Sequence, residues 1–277
     1  MRVLAIVGNF FRAKKRPTSC HRSPGAQTRR VRRFKVDLHN HCLGDPMDRL
    51  THSIYDHLDA ARRAGIDALA MTWHRKVCHD EKASAYARER GMLLISGMEA
   101  EVHGKHLVIL GLREGDLPGQ PTWDEVRALR ARRPGVVVMA PHPFYPHPTC
   151  LNHELNGNED SVDAVEWCAL HVHWLPSRVN PNLRAARWAQ RHGKALVACS
   201  DAHAVAAVGR NPSMVEAGEL TEEAILAAVR AGRVSFPRHS LGLGPLLQNM
   251  TAVVTSQPRH ATRWMLRRLR RRSVAPQ

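Results

Sequence analysis

Two histidines one residue apart, His39 and His41, close a short apolar run (Val36-Asp37-Leu38). Side chains two apart on an extended chain leave its end on the same side, so such a pair can hold one metal ion. The same punctuation recurs where later apolar runs stop. His74 follows residues 68–72, Glu99 follows 92–96, His142 follows 136–140, and Asp201 with His203 follows 195–199. Imidazoles mixed with carboxylates suit Zn2+, Mn2+ or Fe2+, whereas Mg2+ and Ca2+ sites draw almost wholly on oxygen. Four ligands complete a tetrahedral zinc, so this many donors point to a cluster of two or three divalent ions bridged by at least one carboxylate.

Such residues need a scaffold that gathers strand ends. From Phe34 onward, short apolar runs alternate with helical segments, which predicts an α/β fold with parallel strands. Ser53 caps a helix that stops at Gly65. Thr122 and Glu125 form a capping box, and Asn180-Pro181 supplies a cap followed by a first-turn proline. About seven strand and helix alternations favour a closed (β/α) barrel, in which strand ends converge on one rim where active sites form. Val162 to Trp167 is a further strand candidate, with Glu166 and Trp167 supporting the rim.

The formal charge of +16 suggests a nucleic-acid binder until it is located along the chain. Residues 1–35 hold 11 of the 41 Lys/Arg and residues 259–277 hold 7, with no Asp or Glu in either. The 23 basic side chains between them nearly balance 25 acidic ones, so the basicity belongs to the tails. Three regions follow: a basic, disordered extension over 1–34, a barrel over 35–240, and a C-terminal extension over 241–277 whose stretch 263–272 can form an Arg-rich helix. Either tail could contact nucleic acid or an anionic surface. No run approaches the ~18 apolar residues of a membrane span, and the N-terminus lacks the ~7–15-residue apolar region of a secretory signal. The six cysteines show no C-x-x-C spacing, so neither a zinc ribbon nor a disulfide framework is indicated and a cytoplasmic setting is expected.

The motifs Asp37-Leu38-His39-Asn40-His41, Thr72-Trp73-His74, Gly97-Met98-Glu99, His106-Leu107-Val108-Ile109-Leu110-Gly111, Ala140-Pro141-His142-Pro143 and Ser200-Asp201-Ala202-His203 resemble, in order and spacing, those of the PHP (polymerase and histidinol phosphatase) family. The resemblance runs from about Lys35 to Arg238. It implies a distorted (β/α)7 barrel with up to three metal ions that hydrolyses phosphate esters. It further implies that His39, His41, Glu99 and Asp201 hold a first metal and that Glu99 bridges to a second held by His106 and His142. His74 and His203 hold a third, with Asp45 as its further ligand. Cys42 stands where the family usually has threonine, and Trp73 where it has aspartate.

The mechanism this implies is attack on phosphorus by a metal-bound hydroxide held by Glu99, His39, His41 and Asp201. The substrate would be a small phosphorylated metabolite, a nucleotide or an oligonucleotide. Arg75, Lys76 and Arg210, each near a motif, are candidates to clamp its phosphate. His103 is an alternative to His106, while His147, His153, His171 and His173 read as surface or substrate-lining residues. Two other classes compete. An amidohydrolase-type C–N hydrolase also begins with H-x-H but needs a bridging lysine, and none stands where Glu99 does. A nucleic-acid-binding or regulatory protein would use the barrel only as scaffold for its tails.

Overall fold

The computed structural model describes residues 30–170 and 175–238, together with Leu247 and Thr251. Strand β1 (Arg32–Asp37) pairs in parallel with β2 (Ala68–Met71), and β2 with β3 (Leu93–Val102). Helices α1 (Ile54–Arg63) and α2 (Glu81–Glu89) make the two crossovers. The chain then reverses at His103 and Gly104, both at positive φ (51° and 77°), into β4 (Lys105–Leu110), antiparallel to β3. Two-residue turns of this kind match the twist of the flanking strands and require left-handed residues.

Helix α3 (Trp123–Arg132) leads to β5 (Val137–Ala140), antiparallel to β4, and β5, β6 (Ala164–Cys168) and β7 (Ala195–Cys199) run parallel. Helix α4 (Pro181–His192) joins the last two. Strand β8 (Ser213–Ala217) returns antiparallel to β1, and after α5 (Glu222–Arg230) the short β9 (Val234–Ser235) flanks it. The nine strands form one sheet in the order β7-β6-β5-β4-β3-β2-β1-β8-β9. Its far ends approach each other: Ser213 Oγ accepts from Ala198 N at 2.8 Å and donates to Ala198 O at 3.0 Å, which nearly closes the sheet into a barrel.

The helix starts follow the local chemistry. Ser53 with Asp56 and Thr122 with Glu125 form reciprocal capping boxes, and Asn180 Oδ1 accepts from Leu183 N at 3.2 Å ahead of α4. Three expectations need correction. The basic extension drawn over 1–34 contains Arg32, Arg33 and Phe34, which already belong to β1, because pairing with β8 extends the strand at its start. β8 itself was not foreseen from its five residues. The alternation is also not seven parallel repeats, since β4 and β8 are antiparallel. Residues 1–29, the Arg-rich stretch 263–272, His171 and His173 lie outside the described residues.

Side-chain parity explains how the barrel both packs and presents a site. Ala68 and Ala70, Ile95, Val108 and Leu110, Val137 and Met139, Ala164, and Val197 and Cys199 share one buried cluster, to which α5 adds Ile225, Leu226 and Val229. The opposite parity packs outward. Leu69 and Met71 meet α1 and α2, while Met98, Ile109, Val138 and Val165 meet Trp123 and Val126 of α3 and Ala185 and Trp188 of α4. Continuing the inward parity by even steps reaches His74, Glu99, His106, Glu166, Asp201 and His203. The inner row of the core thus runs directly into the polar residues at the rim.

Candidate metal centre

His39 and His41 leave β1 with their Nε2 atoms 3.1 Å apart, both rings fully buried. Glu99 Oε2 lies 3.4 Å from His39 Nε2, 3.3 Å from His41 Nε2 and 3.0 Å from His74 Nε2. Its other oxygen, Oε1, stands 2.7 Å from His106 Nδ1 and 3.4 Å from His142 Nε2. Asp201 Oδ1 completes the first group at 3.5 Å from both His39 Nε2 and His41 Nε2. His106 reaches this rim because β4 runs antiparallel, so its first residues lie beside the last ones of β3. His103 does not replace it: His103 is exposed in the hairpin turn, with Glu154 3.6 Å away.

The donor set fits cations. Two imidazole nitrogens 3.1 Å apart share at most one proton, yet two carboxylate oxygens crowd the same point. Donors arranged tetrahedrally at the 2.0–2.2 Å typical of such ions stand about 3.4 Å apart, close to the spacing found here. Burial pulls the His39 pKa down, but Asp201, Glu99 and Glu166 outweigh it and lift it to about 10. Burial likewise opposes the charged forms of Glu99 and Asp201, and the surrounding imidazoles hold both well below the usual carboxylate range.

Behind the converging nitrogens, a set of outer contacts fixes the rings. His39 Nδ1 meets Glu166 Oε2 at 3.0 Å, His142 Nδ1 meets Cys150 Sγ at 3.3 Å, and His203 Nδ1 meets the Asp201 carbonyl at 3.1 Å. Glu166 also accepts from His142 N at 3.3 Å, so one buried carboxylate orients two segments of the site. Contacts of this kind set ring orientation and basicity, and losing one typically costs 10–100-fold in metal affinity. Glu166→Gln is expected to weaken metal binding by about that factor. A competition titration against a chelator checks this, with the fold monitored by circular dichroism.

The third group holds two carboxylates, the expected Asp45 and also Asp48, and His41, Asp45, Asp48 and His74 together could hold a metal ion. Asp45 is engaged from behind: its Oδ2 lies 2.9 Å from His41 Nδ1 and 3.0 Å from His74 Nδ1, and accepts from His74 N at 2.9 Å. Its Oδ1 accepts from Met47 N at 2.8 Å. Asp48, passed over in the sequence, stands instead with Oδ2 3.0 Å from His203 Nε2 and 3.5 Å from His74 Nδ1. No separate motif marks Asp48; only the turn folded around Asp45 carries it inward. The rings of His74 and His203 are 6.3 Å apart and meet through this carboxylate. Asp48→Ala should therefore lower the metal content by up to one ion per chain while Asp45→Asn reduces affinity without abolishing any site, as elemental analysis can read.

A cavity of about 240 Å³ opens over these groups, walled by Tyr145, His147, Thr149, Cys150 and Leu170 among others. Arg75, Lys76 and Arg210, the expected phosphate clamp, are not among the residues lining this cavity. Arg75 pairs with Glu101, Lys76 lies 5.2 Å from the centre of the Trp73 ring, and the exposed Arg210 donates from Nε to Ala206 O at 2.7 Å. His147 does line the cavity, whereas His153 is exposed.

The two positions that depart from the motif pattern form a contact. Trp73 Nε1 donates to Cys42 Sγ at 3.3 Å, and a Cβ on Gly44 (φ 105°) would come within 2.8 Å of the indole. Further around the rim, Arg75, His142 and Asp201 all have positive φ (55°, 32° and 46°). Such non-glycine outliers cost energy and persist only where surrounding contacts over-determine them.

Comparison with known proteins now places the chain. Residues 179–234 match the family model PHP_C, described as PHP-associated. That match spans 56 of the 277 residues, inside the stretch whose motifs resemble those of the PHP family. A two-domain protein from Bacteroides vulgatus containing a predicted PHP-like metal-dependent phosphoesterase superposes with a TM-score of 0.58 at 20% identity, over 79% of this chain and 70% of that one. PsfC from Pseudomonas syringae gives 0.56 at 20% identity, over 80% of this chain and 98% of that one. The lesion-specific endonuclease PfuEndoQ from Pyrococcus furiosus gives 0.53 at 14% identity, over 74% of this chain and 58% of that one. At these identities the likeness is one of fold. No curated protein matches the sequence. Among the described residues, no helix is long and apolar enough to cross a membrane, and the five described cysteines are free and buried.

Proposed function

We propose that this chain is a metal-dependent phosphoesterase of the PHP type. The observation that carries the reading is the convergence of imidazole nitrogens on the two oxygens of Glu99. One oxygen faces His39, His41 and His74, and the other faces His106 and His142. His39, His41, Glu99 and Asp201 would hold one ion, Glu99, His106 and His142 a second, and His74, His203 and Asp48 a third. Divalent ions bound there supply acidified water and neutralise the charge that develops on a phosphoryl group.

The chain's own residues do the rest. Glu99 is anchored in β3 by register with Val108, so its two oxygens stay directed to opposite sides. Tyr145 lines the cavity, and burial together with the neighbouring Cys168 pushes its phenol above the ordinary range. Its phenol, a hydrogen-bond donor at neutral pH, is suited to a phosphoryl or leaving-group oxygen.

The test begins with full-length protein stripped by chelator and reloaded separately with Mn2+, Zn2+ and Fe2+. Elemental analysis should find two to three ions per chain in the wild type and fewer in His39→Ala and Asp201→Ala. Hydrolysis of p-nitrophenyl phosphate, nucleoside bisphosphates or short RNA should vanish on chelation and return on reloading. Equal metal content in wild type and His39→Ala, or no turnover of any phosphate ester, would sink the reading. PfuEndoQ is a lesion-specific endonuclease, which adds lesion-containing DNA to the substrates worth testing.

A further inference from the structure

Helix α4 presents Arg184, Arg187 and Arg191 at spacings of three and four, and Arg178 stands just before it. These spacings put the three helical arginines on one face. All four are exposed, and among the described residues no carboxylate forms an ion pair with any of them. Nor do the remaining segments hold one in reserve: residues 1–29, 171–174 and 239–277 contain no Asp or Glu. The first turn of α4 has no acidic residue either, although the positive end of the helix favours one. A row of like charges that breaks both local rules marks a surface shaped for something other than stability.

The arginines border a cleft of about 280 Å³ whose floor is aromatic. Arg184 Cζ lies 4.8 Å from the centre of the Phe144 ring, and Trp188 stacks on His192 at 4.5 Å. Phe144 is adjacent in sequence to Tyr145, which walls the metal cavity, and lies two residues after His142. The segment 142–145 thus forms a wall common to both depressions. The metal cavity, at about 240 Å³, is below the usual range for drug-sized ligand pockets. A phosphate held inside it would leave these arginines, of which Arg187 also donates to Ser177 O at 2.7 Å, free to meet further phosphates outside.

Resting on the phosphoesterase reading, we propose that α4 and Phe144 form a groove that tracks a single strand of nucleic acid, with the phosphodiester to be cleaved held in the metal cavity. Cations that follow a backbone, interleaved with aromatic faces, are the chemistry of single-strand binding. An anionic membrane fits less well, since a helix lying on lipid exposes an apolar face, whereas Ala185, Trp188 and Ala189 of α4 are buried against the sheet.

The test is fluorescence anisotropy of labelled twelve-residue oligothymidine and oligouridine with full-length protein in EDTA across a salt series. The triple variant R184A/R187A/R191A should raise Kd at least tenfold. It should also flatten the slope of log affinity against log salt by about 2, at roughly 0.7 per lost contact. Phe144→Ala should weaken binding with the slope kept, and thermal melting verifies that both variants fold. On Mn2+-loaded protein, the triple variant's rate on the oligonucleotide relative to p-nitrophenyl phosphate should fall by a similar factor.

Unchanged Kd and slope in the triple variant would overturn the proposal and leave the terminal arginines as the binding elements. So would loss of binding to 3:1 phosphatidylcholine/phosphatidylserine vesicles without loss of oligonucleotide binding. Because the binding arm needs no metal, binding without hydrolysis of any ester would defeat the phosphoesterase reading alone. Turnover of p-nitrophenyl phosphate with no oligonucleotide binding would defeat this inference alone.

Discussion

Glu99→Gln is expected to reduce hydrolysis of any phosphate ester by about a thousandfold, the equivalent of several kcal/mol of charge stabilisation. The amide keeps the size of the side chain and its place in β3, so the fold should survive. What changes is the donor set. Glu99 is the one carboxylate whose two oxygens face different groups of imidazoles, with Oε2 toward His39, His41 and His74 and Oε1 toward His106 and His142. An amide offers one oxygen and turns an N–H toward the other group, which repels a cation there. Elemental analysis should accordingly find at least one ion lost per chain. Near-native turnover with full metal content would show that Glu99 is not a bridge.

Asp37→Ala should produce the second large effect, this one on stability. Asp37 is fully buried, and its oxygens accept from Ser200 N at 2.9 Å and Gly209 N at 2.8 Å. Those bonds tie β1 to the loop that carries Asp201 and His203. Burial raises the Asp37 pKa although Ser200 and Gly209 favour the charged form, so part of the gain from the bonds is offset by desolvation. Removal leaves a buried N–H at Ser200 and a half-buried one at Gly209 without acceptors, at about 1–3 kcal/mol for the buried group and less for the other. A net loss of about 3 kcal/mol would lower Tm by roughly 6–12 °C for a domain of this size. Asp37→Asn, which keeps one acceptor, should fall by about half as much. Thermal melts check both, and metal analysis should show the Asp201 side of the centre weakened in the alanine variant.

Much of the centre was legible in the sequence because its residues obey short-range rules. The strand runs ending at His74, Glu99 and Asp201 are apolar and short, and inward parity carries the next even positions to the rim. The helix caps at Ser53, Thr122 and Asn180 depend on side chains within three residues of the backbone groups they satisfy. The resemblance to the PHP family added the order of the motifs, and the match over 179–234 agrees with it.

Other features depended on contacts distant along the chain. β8 is five residues long and becomes a strand by pairing with β1 and offering Ser213 to β7. Arg75, Lys76 and Arg210 sit beside the motifs, yet Glu101, Trp73 and the Ala206 carbonyl are their partners instead of the cavity.

The sequence by itself indicated most of the candidate donors, though not Asp48, and that most of them stand at strand ends, because residue type and backbone periodicity are local. The tertiary structure decided that β4 runs backward to deliver His106, that Asp48 faces His203 while Asp45 supports His41 and His74 from behind, and that the α4 arginines share a wall with the metal cavity. The physical reason is directional. Where a side chain points, and what it meets, is fixed by turns, strand reversal and packing partners many residues away, and none of these is encoded in the spacing of the ligands.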